Sequence, residues 1–156
     1  MEIKKSKYDV IINILSVLCI LGTIAYLLYT WDKIPTKIPG HYNTFGEIDR
    51  ITDKSSTIKL VALTLVIYVV ISIIEKFPLS WNTGVQITPL NKEKVYRTLK
   101  TMLETTKFTT TLLFTFLTIY STTCKNLPPL LLPFYLTILL VPIIYFVIKI
   151  IIHTVN

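Results

Sequence analysis

Four apolar blocks, each nearly free of charge, dictate what this chain can fold into. They cover residues 10–29, 58–74, 108–123 and 130–152. They run about 16 to 23 residues, against roughly 20 for a helix crossing a 30 Å hydrocarbon core. The two shorter blocks can lengthen through Thr57 and Lys107, or the bilayer can thin around them. With 52% of 156 residues hydrophobic and 16% charged, too little polar surface remains to coat a soluble domain. The expectation is an all-α membrane protein. It has four transmembrane helices, an ordered extracytoplasmic loop (30–57) and a cytoplasmic amphipathic helix (91–106), in one membrane domain over 1–156.

Lys4, Lys5 and Lys7 precede the first block, as in a signal peptide, but no small-x-small cleavage site follows. That block reads as a retained helix that also targets the chain. The net charge of +7 is explained by sidedness and calls for no nucleic acid. With the N-terminus inside, Lys4, Lys5, Lys7, Lys76, Lys92, Lys94, Arg97, Lys100, Lys107 and Lys149 are cytoplasmic, ten in all. Lys33, Lys37, Arg50, Lys54, Lys59 and Lys125 are outside, six in all. Positive residues favour the cytoplasmic side, so both termini are placed there. Cys19 and Cys124 fall at different depths, which disfavours a disulfide.

The third block is crowded with Thr109, Thr110, Thr111, Thr115, Thr118, Thr122 and Thr123. Their hydroxyls can bond the carbonyl one turn back or a neighbouring helix, which reads as helix packing. A polar path for a solute is the weaker alternative. Pro142, near the middle of the fourth block, removes one helical hydrogen bond and predicts a kink. Asp53, Ser55 and Ser56 offer caps for the second helix. Over residues 91–106, Val95, Leu99, Met102 and Leu103 share one helical face, with Lys92, Lys94, Arg97 and Lys100 around the rest. Such a helix suits the inner headgroup layer, with membrane lipid as its partner; a soluble partner using that face is the alternative.

No Asp, Glu, Arg or His falls in the central part of any block. Lys59 and Lys149 lie near helix ends, where they can snorkel. Ion and proton pathways rely on buried ionisable groups, so the pattern argues against an autonomous ion or proton transporter. Polar residues gather instead in the outer loop. Pro35 and Pro39 extend the chain, and 44–47 reads as a tight turn using Gly46. Tyr42 and Phe45 are expected to fold back toward the membrane surface. His41, Asn43, Glu47, Asp49 and Asp53 could ligate a divalent metal, with His41, Glu47 and Asp49 the weak candidates, but their spacing fits no metal motif. The commoner outcome is that Glu47 and Asp49 pair with Arg50, Lys54 or loop amides while His41 bonds within the loop. No cofactor is expected, and no HExxH, GxSxG or phosphate-cradling glycine loop supports catalysis.

In this loop Pro35, Pro39, His41, Tyr42, Asn43, Gly46, Glu47, Asp49 and Lys54 fall in register with a known signature. It is Pro-x-x-x-Pro, then x-His-aromatic-Asn-x-x-Gly-Glu-x-Asp, then a later Lys. The chain thereby resembles bacterial membrane proteins carrying the domain of unknown function 1648. Tyr42 stands where Phe is commoner, and Ile51 where an aromatic or small residue is usual. A second stretch, Asn82, Val85, Ile87, Thr88, Asn91, Tyr96 and Arg97, resembles an element those proteins carry before the third helix. The same outer-loop domain forms the N-terminal part of Sdp-type immunity proteins, which protect bacteria from a secreted killing peptide.

The resemblance implies location in the bacterial cytoplasmic membrane. The reading is a non-enzymatic membrane protein whose outer loop binds a peptide, envelope protein or lipid, with a role in immunity or sensing. The alternatives are a membrane enzyme or metal-dependent protein using the loop's His and carboxylates, and a transporter subunit using the third and fourth helices.

Overall fold

The computed structural model describes residues 3–155. Its order is helix α1 (Lys7–Thr30), strands β1 (Lys37–Tyr42) and β2 (Ile48–Asp53), then helices α2 (Ser56–Ile74), α3 (Lys92–Ser121) and α4 (Leu131–Val155). Short 3-10 turns follow α1 at Trp31–Lys33 and α2 at Pro78–Ser80. The helices run up, down, up and down. Cross-links set this order: Asp9 meets Arg97 at one end, and Tyr26 meets Thr122 at the other.

α1 starts on a capping box, in which Ser6 Oγ accepts from the Asp9 amide and Asp9 accepts from the Ser6 amide. Ser55 takes the N-cap position of α2 as a carboxylate-or-hydroxyl cap would, but its side chain makes no capping bond. Thr57 Oγ1 instead donates to the Lys54 carbonyl at 2.7 Å.

Among the described residues, three helices are long and apolar enough to cross a membrane, over Lys7–Lys33, Ser56–Ile74 and Leu131–His153. Their outward faces carry large exposed apolar residues such as Leu18, Leu21, Val66, Val70, Ile144 and Ile148. The expected count of four spans is not supported, because α3 is of a different kind. It is one continuous helix of 30 residues, uninterrupted by glycine or proline, and it merges the expected 91–106 helix with the expected third span. It is also the central element: α1, α2 and α4 all pack on it. Its threonines follow the packing expectation. Thr98, Thr109, Thr111 and Thr118 are buried, each donating to the carbonyl one turn back, which satisfies the hydroxyl without a partner helix.

The first half of α3 is not a free amphipathic helix. Val95 and Leu99 are buried against Ile150 of α4, with Trp81, Val85, Ile87 and Met102 packed around them. The chain's own linker and last helix cover the face that sequence reasoning assigned to lipid. Burial of an apolar stripe is satisfied equally by lipid or by protein, so periodicity alone does not choose between them.

Candidate functional site: a groove roofed by the hairpin

The loop between α1 and α2 folds as an antiparallel hairpin, pairing Lys37 with Asp53, Ile38 with Thr52, Pro39 with Ile51, His41 with Arg50 and Tyr42 with Ile48. The stretch expected to be a polyproline-like course is therefore a strand from Lys37 onward. Pro39 is tolerated because an edge strand need not use that amide. The register slips on either side of His41, which leaves Gly40 and Asp49 as extra residues, bulges that twist the ribbon and re-aim its side chains. A Cβ on Gly40 would lie 2.8 Å from Thr52 Cβ and Cγ2, so the bulge closes only on glycine.

Asn43 builds the turn. Its Oδ1 accepts from the amides of Phe45 and Glu47, and its Nδ2 donates to Glu47 Oε2 at 2.9 Å. Gly46 sits at φ +82°, the left-handed region that glycine occupies without strain. Phe45 is exposed and does not fold back. Two seats hold the hairpin on the bundle. Ile38, 1% exposed, packs with Leu27 and Ile34. On the other side Gly46 O accepts from Leu127 N at 2.7 Å, and Asn126 Oδ1 accepts from Ile48 N at 3.0 Å. Lys54 donates to the Trp31 carbonyl at 2.9 Å and lies over the Trp31 ring, tying the end of β2 to the turn after α1.

The polar side chains pair locally. His41 Nδ1 is 2.7 Å from Asp49 Oδ1, and Lys37 bridges Asp53 at 2.9 Å. Of the expected partners of Glu47 and Asp49, Arg50 and Lys54 are not used, since Arg50 reaches the Gly40 carbonyl at 3.4 Å and Lys54 is committed to Trp31; Glu47 takes the side-chain amide of Asn43, and His41 bonds within the loop as expected. The three weak metal candidates do not converge: His41 and Asp49 meet, but Glu47 turns to Asn43. No group of three or more His, Cys, Asp or Glu side chains is placed to hold a metal among the described residues.

Beneath the hairpin lies a groove of about 840 Å³, within the size range of small-molecule sites. α2 and α4 both pack on α3 and scarcely touch each other, which leaves the wedge open between them. Leu60 and Leu63 of α2, Leu113 and Leu117 of α3, and Leu132 and Leu136 of α4 form its walls. Pro39, His41, Tyr42, Asn43 and Gly46 form the roof, with Lys59 at the rim. Of the hairpin signature, these five face the groove, whereas Pro35, Glu47, Asp49 and Lys54 shape or anchor the hairpin.

The Tyr42 hydroxyl is buried and makes no hydrogen bond with any described residue. Burial, reinforced by Tyr120 and Cys124, pushes its phenol up to about 12, so it is a neutral donor at any physiological pH.

The second signature sits at the opposite end and does structural work. Asn82 Oδ1 accepts from Gly84 N. Thr88 and Asn91 bond reciprocally, Thr88 N to Asn91 Oδ1 at 2.8 Å and Asn91 N to Thr88 Oγ1 at 3.3 Å, while Asn91 Nδ2 reaches the Gln86 carbonyl. Tyr96 packs tilted against Trp81, with ring centroids 6.1 Å apart. Arg97 donates to Asp9 at 2.8 Å and to the Lys4 carbonyl at 2.7 Å. Together they seat the linker and the N-terminal strap on α3, far from the hairpin.

A buried charge cluster, not foreseen from the sequence, lies in the flanks of the apolar blocks, whose central parts stay free of Asp, Glu, Arg and His. Lys107, 1% exposed, sits mid-α3 between Glu104 of the same helix and Glu75 at the end of α2. Asp9, also 1% exposed, pairs with Arg97 and Lys100. The i, i+3 spacing of Glu104 and Lys107 was legible as a helical pair, but only the fold shows that α1 and α2 enclose it.

Residues 18–67, which carry most of α1, the whole hairpin and the first part of α2, match the family model described as domain of unknown function DUF1648. No curated protein and no solved structure matches the chain.

Proposed function

We propose that this is a non-enzymatic integral membrane protein whose outer hairpin and the groove beneath it bind an amphiphile, its acyl chain between α2 and α4 and its polar head under the hairpin. One observation carries the reading: five residues of the hairpin signature form the polar roof of a leucine-walled groove that opens between two helices with exposed apolar faces. A ligand there meets apolar walls below and donors above, which is the polarity profile of a lipid. Lys59 at the rim and His41 in the roof suit an anionic or zwitterionic head, and the Tyr42 hydroxyl supplies a buried neutral donor. Of the occupants a loop of this kind suggests, a peptide or envelope protein would engage the exposed tip at Phe45, whereas the groove accommodates a chain.

In this reading the hairpin faces the outside of a bacterial cytoplasmic membrane. Both termini are cytoplasmic, and α3 is the fourth membrane element, shielded by the other three. The lysines and arginines concentrated at the end opposite the hairpin support that orientation. A role in immunity or sensing accords with the resemblance to the N-terminal part of Sdp-type immunity proteins: occupancy of the groove would alter how the hairpin sits on Leu127 and Asn126.

Photo-crosslinking tests the site. The purified full chain in nanodiscs is exposed to a phospholipid with a diazirine in its acyl chain. Adducts concentrated on Leu63, Leu117 and Leu136 support the groove. Adducts spread evenly over the exposed faces of α1 and α4 refute it.

A further inference from the structure

The end of the bundle opposite the hairpin holds two carboxylates against one ammonium. Lys107 Nζ lies 3.0 Å from Glu75 Oε1 and 3.1 Å from Glu104 Oε2. A lysine ammonium has three N–H donors, and the hydrogen-bond directions of this one are taken by Asn13 Oδ1 at 3.3 Å, Ser72 Oγ at 3.4 Å and Glu75 Oε2 at 3.1 Å. Glu75 Oε1 and Glu104 Oε2 are therefore close to the charge yet accept no hydrogen bond from any described residue. Glu104 is 4% exposed, so solvent does not satisfy its oxygen. Two carboxylates, one buried and one mostly shielded from solvent, brought to one nitrogen cannot both stay ionised at ordinary cost.

We infer that Glu75 and Glu104 bind one proton between them, making the seam between α2 and α3 a proton-binding site. The added proton supplies the donor that both orphaned oxygens lack and brings the cluster from net −1 to neutral.

The surroundings support this. From α1 the site meets Asn13, which does not titrate and accepts from the Tyr68 hydroxyl at 2.8 Å. Asp9, one turn away on α1, is committed to Arg97 and Lys100 and does not compete for Lys107. From α2 it meets Tyr68, whose ring lies 5.1 Å from the ammonium. From α3 come Glu104 and Lys107 themselves, the only charged groups of that helix paired at the site among the described residues. Burial is the main force pushing the Glu75 carboxyl up to about 7; Lys107 pulls it down, and the charge and hydrogen bonding of Glu104 push it up.

The test is infrared spectroscopy of the full chain in nanodiscs across a pH titration. Ordinary exposed carboxyls are ionised above roughly pH 5.5, so a protonated carboxyl stretch persisting above that pH marks a buried acid. The expected result is such a band near neutral pH, lost as pH rises above about 8, and absent in both Glu75→Gln and Glu104→Gln, because either leaves a one-to-one pair with Lys107. A wild-type spectrum with no protonated carboxyl at neutral pH overturns the inference, whether or not the variants fold. Persistence of the band in either folded variant overturns it too.

Discussion

The Lys107 ammonium lies 3.0 Å from Glu75 Oε1, joining the last turn of α2 to the middle of α3 at a point where the lysine is 1% exposed. Removing one member of a buried ion pair leaves an uncompensated charge, which costs about 3–5 kcal/mol. Lys107→Met is accordingly expected to lower stability by about that amount, read as a fall in the unfolding midpoint in detergent. Adding Glu75→Gln and Glu104→Gln to the same chain should restore much of the loss. A single variant as stable as the parent would show that the pair does not hold the seam.

Stability should also depend on pH through this cluster. The Glu75 carboxyl is raised in the folded state to about 7, above its unfolded value near 4.5, so the folded chain holds more protons between those two values. Its contribution is fully present below about 4.5 and is lost as pH rises through about 7, with a slope of at most about 1.4 kcal/mol per pH unit. Thermal unfolding of the wild type should therefore move to lower temperature between those limits. Glu75→Gln should flatten the dependence, and an unchanged slope in that variant would assign it to another group.

Asp9 is the only acid facing Arg97 and Lys100 among the described residues, and it also caps α1 through Ser6. Asp9→Asn keeps the capping shape but removes the charge, leaving two cations near one neutral amide. The expected cost is about 3 kcal/mol, together with faster proteolysis of the N-terminal strap, whose Lys4 carbonyl Arg97 holds. Proteolysis at the parental rate would mean the strap does not depend on this pair.

Gly40→Ala brings a methyl to 2.8 Å from the Thr52 side chain. Overpacking of that kind costs about 1–3 kcal/mol, and the hairpin would shift off its seat on Leu127. Amide hydrogen exchange at Asn43, which donates to the Glu47 carbonyl, should rise. Thr52→Gly in the same chain should reverse part of the effect.

The membrane class, the spans of α1, α2 and α4 and the tight turn at Gly46 were legible because each is a local property: block length, charge depletion, or a glycine at a set offset. The groove was not legible. It exists because α2 and α4 pack on α3 without closing on each other, and no sequence period reports that gap. The charge cluster was hidden for a related reason. Lys107 reads as the polar flank of an apolar block, and only packing by α1 and α2 turns that flank inward. The apolar face at Val95 and Leu99 carried the right periodicity but the wrong partner, since Ile150 and the linker lie far off in sequence.

The central claim is that an amphiphile occupies the groove under the hairpin. Native mass spectrometry of the chain released from gentle detergent measures this directly, with wild type compared against Leu117→Trp, in which an indole fills the space between Leu63 and Leu136. The account predicts one acyl-bearing amphiphile retained by the wild type and lost in the variant. No retained amphiphile, or equal retention by both proteins, would contradict it.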